Sequence, residues 1–515
     1  MAKEPKQRFV LNLKLKTQPF QEDILNKRFE IGRHLYNSVL GLALKRYKEM
    51  IKTKRWRENQ KNISEIYKNS DKIQTKKLAK SYFDIKNNML KEFRLTEYSL
   101  HEDIKFMQHR FKNSIDSFTT QKIASRAWKA IDDNLFGKGE ELHFKGRNNP
   151  LNSLEGKSNG TGIKYDLKNN LFVWNGLIIP VQLDINNKYE VNCLRNKICF
   201  CRIKRKFIRG KYKYILQLIL EGIPPIKINK TTGEVKNDIG NGICGCDIVT
   251  QSIAYVSDYD VKLLELASRV QNIENAKRRI QRYMDRSKRA TNPDNFNEDG
   301  TIKKGNIING KKEKLVWNYS KKYIKAKNKV KDIYRKQADI REQDHNILAN
   351  EILKNCNIVY VENMNYAGLQ KRAKNTTINE KTGRTNKKKR FGKSLANKAP
   401  SKFLTILENK LKSKGGLYIE INTREAKASQ YNHLNHQYNK KKLSQRWNEL
   451  EYNDEIAKIQ RDCYSAFLIQ NTNDDLKTFN DENCKSKFDN FIIMHDREIN
   501  RLKGNEERKL SSMGI

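Results

Sequence analysis

GICGCDIVTQSIAYVS, residues 242–257, carries one acid, Asp247, inside a run of apolar and small residues that is typical of a buried β-strand. Alternation along such a strand places Gly245 and Asp247 on one face and the two cysteines of the CGC triplet on the other. An ionised carboxylate at such a position is costly unless it is paired with a cation or bound to a metal. Asp247 is therefore the first candidate functional residue.

Two further acids occupy positions that the pattern assigns to a protein core. Glu362 ends the apolar strand IVYVE, residues 358–362, and ligand sites in open α/β sheets lie beyond the carboxyl ends of the strands. Asp462 lies in EIAKIQRDCYSAFLI, residues 455–469, which we predict to be a single helix. On that helix Asp462 follows Ile459 by three residues and therefore shares its buried stripe.

The three carboxylates together predict a nuclease site. Convergent carboxylates can hold two Mg²⁺ ions about 3.5–4 Å apart for in-line attack on a phosphodiester, and Mg²⁺ is a hard cation that takes oxygen ligands. We therefore assign Asp247, Glu362 and Asp462 as catalytic residues and as ligands of two Mg²⁺ ions, with Mn²⁺ as a substitute. For each acid singly, neutralisation by a neighbouring Lys or Arg explains its position equally well.

The charge of the chain indicates a polyanionic partner. Lys and Arg number 104 against 59 Asp and Glu, which gives a net charge of +45. A compact protein with this charge repels itself unless a polyanion neutralises it, and neutralising phosphates supplies affinity for nucleic acid. AT-rich coding DNA would explain the preference for Lys over Arg, but not the shortage of acids. Because basic residues are spread along the chain, nucleic acid is favoured over a membrane as the partner.

The sequence also bears on compartment and cysteine chemistry. No run of 18 apolar residues occurs, and the N-terminal MAKEPKQRFV lacks an apolar signal core, so we expect a soluble, cytoplasmic protein. The eight cysteines form no C-x-x-C pair, so neither a zinc ribbon nor a disulfide framework is indicated.

Changes of pattern along the chain predict several domains. Residues 1–20 contain the alternating strand RFVLNLKLK, and residues 21–155 are helical with basic outer faces. Residues 156–235 hold short β-branched and aromatic runs that suggest a small β-barrel, to which the first strand is a candidate addition. A very basic stretch at residues 370–393 contains KKKR.

Three segments resemble, in order, the three RuvC motifs of TnpB proteins from insertion sequences: GICGCDIVTQSIAYVS, IVYVENMNYAGL and IQRDCYSAFLI. The stretch FGKSLANKAPSKFLTILENKLKSKGGLYIEINTREAKASQYNH, residues 391–433, also resembles TnpB proteins of low-GC bacteria, and the resemblance as a whole spans most of residues 8–470. Carried over by motif, Asp247, Glu362 and Asp462 match the family's catalytic acids. The resemblance implies an RNA-guided DNA endonuclease with two partners: a guide RNA transcribed from the element's end, and double-stranded target DNA with a short flanking motif.

The resemblance also implies a multidomain α+β fold. A β-barrel wedge domain with an inserted helical recognition lobe would be followed by an RNase H-like (RuvC) α/β nuclease domain at residues 239–470. Residues 471–515 are polar and mixed in charge, and we expect them to form a flexible tail.

One departure from the family concerns zinc. TnpB proteins usually carry a zinc ribbon before the third motif, opened by Ser-Gln and a C-x-x-C pair. Here Ser429-Gln430 is present, but Asn432 and Asn435 stand at the cysteine positions. Structural zinc needs four ligands, and no second pair of ligands follows before Asp462. We therefore expect residues 420–455 to use hydrogen-bonded loop residues in place of zinc.

Three other functions fit parts of the same pattern. A nuclease-inactive, RNA-guided DNA-binding regulator on the same scaffold would be favoured by the loss of a catalytic acid, and no loss is visible. A DDE-type transposase should complete its triad with Glu, whereas this chain offers Asp462. A compact type V CRISPR effector would share the chemistry and differ in the source of its guide RNA.

Overall fold

The computed structural model describes residues 6–68, 72–135, 142–146, 149–229, 231–303, 305, 307–308, 311–378, 383, 391–442, 444–504, 510 and 513–515. The basic KKKR run, Lys387–Arg390, lies outside these residues. The chain divides into two compact units, Met1–Lys227 and Ile228–Ile515. Within the described ranges, no helix combines the length and the apolar character needed to cross a lipid bilayer.

The first unit is built on one antiparallel sheet of seven strands. They are β1 (Arg8–Leu15), β2 (Ser153–Glu155), β3 (Lys164–Asp166), β4 (Leu171–Trp174), β5 (Leu177–Gln182), β6 (Ile198–Ile208) and β7 (Lys211–Glu221). Their order in the sheet is β2-β6-β7-β1-β5-β4-β3. β1 pairs with β7 and β5, so the first strand joins a sheet whose other members come after the helical region. In the described part of the chain the edge strands β2 and β3 are not paired with each other, so the sheet is curled but strand pairing does not close it into the barrel that the sequence suggested.

Helices complete the first unit. Between β1 and β2 lie α1 (Pro19–Lys52), α2 (Lys54–Ile66), α3 (Lys72–Glu92), α4 (Glu97–His109) and α5 (Ser117–Leu135), and α6 (Lys188–Cys193) follows β5. Pro19 stands in the first turn of α1, where its missing N–H costs nothing. Buried residues of α1 recur every three or four positions, as with Leu25, Phe29 and Tyr36, and they share one hydrophobic core with the sheet.

The second unit is centred on a mixed sheet of five strands in the order β10-β9-β8-β13-β14. These are β8 (Ile243–Ile248), β9 (Ser252–Ser257), β10 (Val261–Glu265), β13 (Ile358–Glu362) and β14 (Leu417–Ile421). β8, β9 and β10 form an antiparallel meander, whereas β13 is parallel to both β8 and β14. Three short hairpins pair β11 (Ile307–Ile308) with β12 (Lys311–Lys312), β15 (Tyr431–Asn432) with β16 (Gln437–Tyr438), and β17 (Trp447–Tyr452) with β18 (Glu455–Gln460).

Helices cover both faces of this sheet. They are α7 (Glu274–Thr291), α8 (Lys321–Leu353), α9 (Tyr366–Gln370), α10 (Gly392–Lys398), α11 (Pro400–Ser413), α12 (Thr423–Ala426), α13 (Arg461–Gln470) and α14 (Asp481–Gly504), with 3-10 turns at Ser268–Ile273 and Pro293–Asn295. On one face Cys244 and Cys246 of β8 pack with residues of α8 and α11. On the other face β9 packs with α13 and α14. β8 is thus covered on both sides, which explains its nearly continuous apolar sequence.

The prediction of one helix over residues 455–469 is wrong. Glu455–Gln460 form the strand β18, and α13 begins only at Arg461. Ile456, whose place in a helical stripe was part of the prediction, is 64% exposed. Over so few residues the apolar positions do not separate the two structures, because Ala457 and Ile459 fit one face of a strand while Ile456 and Ile459 fit a helical stripe. The pairing with β17 decides the outcome.

The prediction of a flexible tail after residue 471 is also wrong. The tail contains the 24-residue helix α14, and Phe488 and Phe491 of that helix are buried in the core with α13. Apart from the buried Glu498, the charged residues of α14 are exposed or half-buried. The helix is therefore amphipathic, which the average composition of the tail does not show.

Candidate functional site

A glycine brings α13 close to β8. A Cβ added to Gly245 would lie 2.2 Å from the carbonyl oxygen of Ala466 and 2.3 Å from the backbone nitrogen of Gln470, so a larger residue would push the helix away. The side-chain amide of Gln470 also donates to the carbonyl oxygen of Ile243 at 3.3 Å. The C-terminal end of α13 therefore lies over the start of β8, and the two elements run in opposite directions.

This packing brings Asp247 and Asp462 to the same place. Asp247 lies two residues beyond Gly245 on the same face of the strand, about 7 Å along it. Asp462 lies one turn before Ala466 on the same side of the helix, about 6 Å along it. Because strand and helix are antiparallel and the two steps are nearly equal, Asp462 faces Asp247.

Strand register brings Glu362 to the same edge. Val361 of β13 pairs with Cys246 of β8, and Glu362 and Asp247 are the next residues of these two parallel strands. Neighbouring residues of paired strands point to the same face of the sheet, so both carboxylates lie on the face that α13 covers. The structure thus brings the three predicted acids together at the carboxyl ends of β8 and β13.

The charges of the three acids act on one another. Burial raises the pKa of Asp247 well above its usual range, the charges of Glu362 and Asp462 raise it further, and the Arg461 guanidinium lowers it. The pKa of Glu362 is raised to about 7, first by burial and then by the charge of Asp462. Asp247 and Glu362 nevertheless keep part of their surface accessible. Like charges held together in this way destabilise the fold unless protons or cations neutralise them.

The two carboxylate oxygens of Asp462 have different surroundings. The residue is only 2% exposed. Its Oδ1 accepts hydrogen bonds from Arg461 Nη2 at 3.1 Å and Nε at 3.3 Å, whereas its buried Oδ2 has no hydrogen-bond partner. Native proteins rarely leave a buried carboxylate oxygen unsatisfied, and a cation would satisfy this one.

The site fits a divalent cation in its donor atoms, but it is not arranged as a closed metal cage. Among the described residues, no three His, Cys, Asp or Glu side chains stand close enough together to hold a metal ion. The cation that contacts Asp462 in this structure is the Arg461 guanidinium. A hard cation shared by the three acids would therefore have to draw their side chains closer and compete with Arg461 for Oδ1.

Two residues of the site were missed by the sequence analysis. The Tyr366 hydroxyl donates to the carbonyl oxygen of Ile248 at 3.1 Å, and the charges of Asp247 and Glu362 add to burial in raising the pKa of Tyr366. No local pattern marks this tyrosine, because α9 brings it to the site only through the tertiary fold. The other is Arg461, whose position next to Asp462 was a visible signal for the ion pair.

An open cleft of about 1010 Å³ begins at the residue after Glu362. Its lining is largely polar and includes Asn363, Arg424 and Lys477. The backbone N–H of Asn363 donates to Thr423 Oγ1 at 3.0 Å, which fixes this rim of the cleft to α12. Small-molecule sites are usually enclosed and apolar, so this cleft better suits an extended polar ligand.

The segment that stands where TnpB proteins have a zinc ribbon is held by side-chain contacts. Asn432 and Asn435 each accept a hydrogen bond from the backbone N–H two residues further on, at 3.0 and 3.1 Å. His433 is completely buried, and its Nδ1 lies 2.7 Å from the hydroxyl of Tyr464 on α13. The segment is thus fastened to the helix that carries Asp462.

Comparison with known proteins gives weak likenesses. No protein-family model matches the chain, and no curated protein does. Among solved structures, it is similar to a "Cas12f1-sgRNA-target DNA complex" with a TM-score of 0.41 and 10% identity, covering 90% of this chain and 99% of that one. It is also similar to a "CRISPR-Cas12f Ternary Complex" with a TM-score of 0.25 and 14% identity, covering 88% and 86%. Both TM-scores are below 0.5, so neither likeness identifies a function.

Proposed function

We propose that this chain is an RNA-guided DNA endonuclease that cleaves phosphodiester bonds at Asp247, Glu362 and Asp462. The observation that carries the proposal is the mutual effect of three partly or wholly buried acids, which raise the pKa of Asp247 and of Glu362. Arg461 pairs with Asp462, but among the described residues no cation pairs with Asp247 or Glu362. Carboxylates with raised pKa values destabilise the fold and are kept mainly where function needs them. They are therefore concentrated at functional sites. The adjoining polar cleft supports a polymeric substrate.

The three carboxylates would hold two Mg²⁺ ions, with Mn²⁺ as a substitute. Bound ions would activate water and stabilise the charge on the phosphate and on the leaving oxygen. The protein's part is to hold the acids in place: strand register fixes Asp247 and Glu362, and the first turn of α13 fixes Asp462. The unsatisfied Oδ2 of Asp462 is the ligand atom most directly available.

The guide RNA and the DNA target are part of the same proposal. A net charge of +45 favours polyanionic partners. The sheet of the second unit, an antiparallel meander followed by two parallel strands, supports the predicted RNase H-like domain. In such systems base pairing with the guide supplies sequence specificity, and the protein reads duplex shape and a short flanking motif. An insertion-sequence-type element would encode the protein and supply its guide.

The first experiment identifies the guide and tests cleavage. The full chain is purified with its bound RNA, the RNA is sequenced, and DNA carrying the matching target beside randomised flanks is incubated with Mg²⁺. We expect a discrete RNA and guided cleavage. RNA from beside the protein's own gene would favour the transposon source, repeat-derived RNA would favour a compact type V CRISPR effector, and heterogeneous RNA without cleavage would contradict the proposal.

The second experiment tests the residues. Asp247→Asn, Glu362→Gln and Asp462→Asn should each abolish cleavage while guide and target binding persist. Glu455→Gln, which changes an exposed acid of β18, is the matched control and should cleave normally. Normal cleavage by one of the three variants would remove that residue from the site.

A second candidate is a nuclease-inactive, RNA-guided DNA-binding regulator. The observation that favours it is the absence, among the described residues, of three side chains arranged to hold a metal. The same assay separates the two candidates, because a regulator would bind guide and target tightly and leave the DNA intact with either Mg²⁺ or Mn²⁺.

A further inference from the structure

Helix α7 has an inner face and an outer face. It packs against α8, and Glu274 and Lys277 are buried on that side, with Ile280 and Met284 half-buried along the same stripe. Gln281 adds a hydrogen bond of 3.3 Å to the hydroxyl of Tyr334 on α8. The opposite side of α7 is exposed to solvent.

Four arginines occupy this outer side at helical spacing: Arg279, Arg282, Arg286 and Arg289. Steps of three, four and three residues keep them within one face, about 15 Å long, and all four are exposed. We call this set the arginine face. None of the four forms an ion pair within the described part of the chain.

The one acid among residues 278–289 does not neutralise the arginine face. Asp285 lies at its border and forms no ion pair among the described residues. Its charge contributes, after burial, to the raised pKa of Tyr323, so it lies towards α8. Arg289 is the most engaged of the four, since its guanidinium lies 5.3 Å from the ring centre of Phe296 and next to Gly300.

The choice of arginine is unusual for this chain. It contains 73 lysines and 31 arginines, yet five of the arginines fall within residues 278–289, where only one lysine, Lys288, occurs. The coding bias that explains lysine elsewhere therefore does not explain this helix. Arginine differs from lysine in its planar fork, which binds phosphate bidentately and stacks on flat rings.

Like charges at these spacings destabilise an isolated helix. A polyanion along the outer side would reverse the sign of this contribution. Tyr283 lies on the same side, between Arg279 and Arg286, with 39% of its surface exposed. An aromatic ring among phosphate-binding groups is the combination that binds unpaired nucleotides, because the ring stacks on a base while the cations bind its backbone.

We propose that the arginine face and Tyr283 bind an unpaired segment of the guide RNA. This inference rests on the proposed function and extends it to one surface of the second unit. RNA is favoured over duplex DNA because unpaired, splayed bases that stack on aromatic rings and guanidinium planes are the usual targets of RNA recognition, whereas the bases of duplex DNA are stacked inside the helix.

The test measures binding without cleavage. The full-length protein, freed of RNA, is titrated with a single-stranded RNA of about 20 nucleotides and with duplex DNA of the same length, at several salt concentrations without Mg²⁺. The variant with all four arginines changed to Ala should bind the RNA at least about tenfold more weakly. Its plot of log affinity against log salt should lose about 0.7 of slope per arginine. Because the four side chains are exposed and Ala favours helix, the variant is expected to fold.

Four further variants define the contact. Changing all four arginines to Lys should keep most of the salt slope but weaken RNA binding. Tyr283→Ala should weaken binding of the RNA by about fivefold or more and leave duplex DNA unaffected. Arg282→Ala should weaken RNA binding and reduce the salt slope by about 0.7. Arg497→Ala, which changes an exposed arginine of α14 that forms no ion pair among the described residues, is its matched control and should do neither.

Each contrary outcome has a distinct meaning. Unchanged RNA affinity and salt slope in the fourfold Ala variant would overturn the inference. A loss of RNA affinity in Arg497→Ala equal to that in Arg282→Ala would also overturn it. A larger loss for duplex DNA than for RNA would assign the face to DNA and overturn it as stated. Failure of guided cleavage by the unaltered protein would instead count against the proposed function, since binding is measured without cleavage.

Discussion

Gly245 of β8 lies so close to Ala466 of α13 that no other residue would fit at position 245. An added Cβ would stand 2.2 Å from the Ala466 carbonyl oxygen, where it has no space. This contact sets the separation between the strand that carries Asp247 and the helix that carries Asp462. A residue without functional groups thus controls how two candidate catalytic acids meet.

Gly245→Ala should displace α13. We expect a loss of at least about 1–3 kcal/mol of unfolding free energy, as for overpacked cores, and a strong loss of cleavage. Thermal unfolding and the cleavage assay measure the two effects. Gly504→Ala, in the last turn of α14 with no atom within 4 Å of the added Cβ, is the control and should be neutral. Normal activity in Gly245→Ala would mean that the helix position does not matter.

Asp247→Asn should stabilise the protein in the absence of divalent metal. The folded-state pKa of Asp247 lies well above that of the unfolded chain, so ionisation destabilises the fold increasingly as the pH rises above about 4. At pH 8 with a chelator, we expect the variant to gain at least about 1.4 kcal/mol, the equivalent of one pKa unit.

Added Mg²⁺ should then reverse the ranking. A cation that binds only the folded site raises the unfolding temperature of the natural protein more than that of Asp247→Asn. Asp294→Asn, at an exposed position, is the matched control and should respond as the natural protein does. Identical shifts for natural protein and Asp247→Asn would place metal binding elsewhere.

His345 should make the protein less stable in mild acid. Burial lowers its pKa to about 4, and the positive charges of Arg341 and Lys402 act in the same direction. The unfolded chain, with a histidine pKa near 6.5, binds the proton more readily. The free energy of unfolding should therefore fall as the pH drops from about 6.5 to about 4, by on the order of 3 kcal/mol.

Urea unfolding at a series of pH values measures this effect. His345→Leu should remove it, and His109→Leu, at an exposed position of the first unit, should not. An unchanged pH dependence in His345→Leu would show that other groups are responsible.

The segment around His433 should fold without zinc. Asn432 and Asn435 bind their own backbone, and His433 is already engaged with Tyr464 inside the core. Elemental analysis should find well under one zinc per chain, and a chelator should not change the unfolding temperature. One equivalent of zinc that disappears in His433→Ala would contradict this expectation.

Sequence reasoning was most informative where a single residue broke a strong pattern. Asp247 and Glu362 stand out because each interrupts or ends an apolar strand, and strand alternation places them on a definite face whatever lies around them. The same period of two predicted the N-terminal strand, and the structure pairs this strand with β5 and β7.

Pattern alone was weaker where packing decides. The hairpin β17–β18 and the helix α14 depend on pairing and burial contributed by distant segments, so residues 455–460 and 481–504 were misassigned. The approach of Tyr366 to the acids is likewise tertiary and leaves no periodic trace in the sequence, whereas the contact of Arg461 with the adjacent Asp462 is local and could have been predicted.

Gln460, the residue that caps the N-terminus of α13, has a consequence for protein engineering. Its side-chain oxygen accepts a hydrogen bond from the Cys463 N–H at 2.8 Å, while its side-chain nitrogen donates to the Met513 carbonyl oxygen at 3.2 Å, 53 positions later. A shortened version that ends before Met513 would lose the hydrogen bond that holds the Gln460 side chain, which caps the helix carrying Asp462. Residues 513–515 are therefore poor candidates for deletion, and affinity tags belong at the other end of the chain.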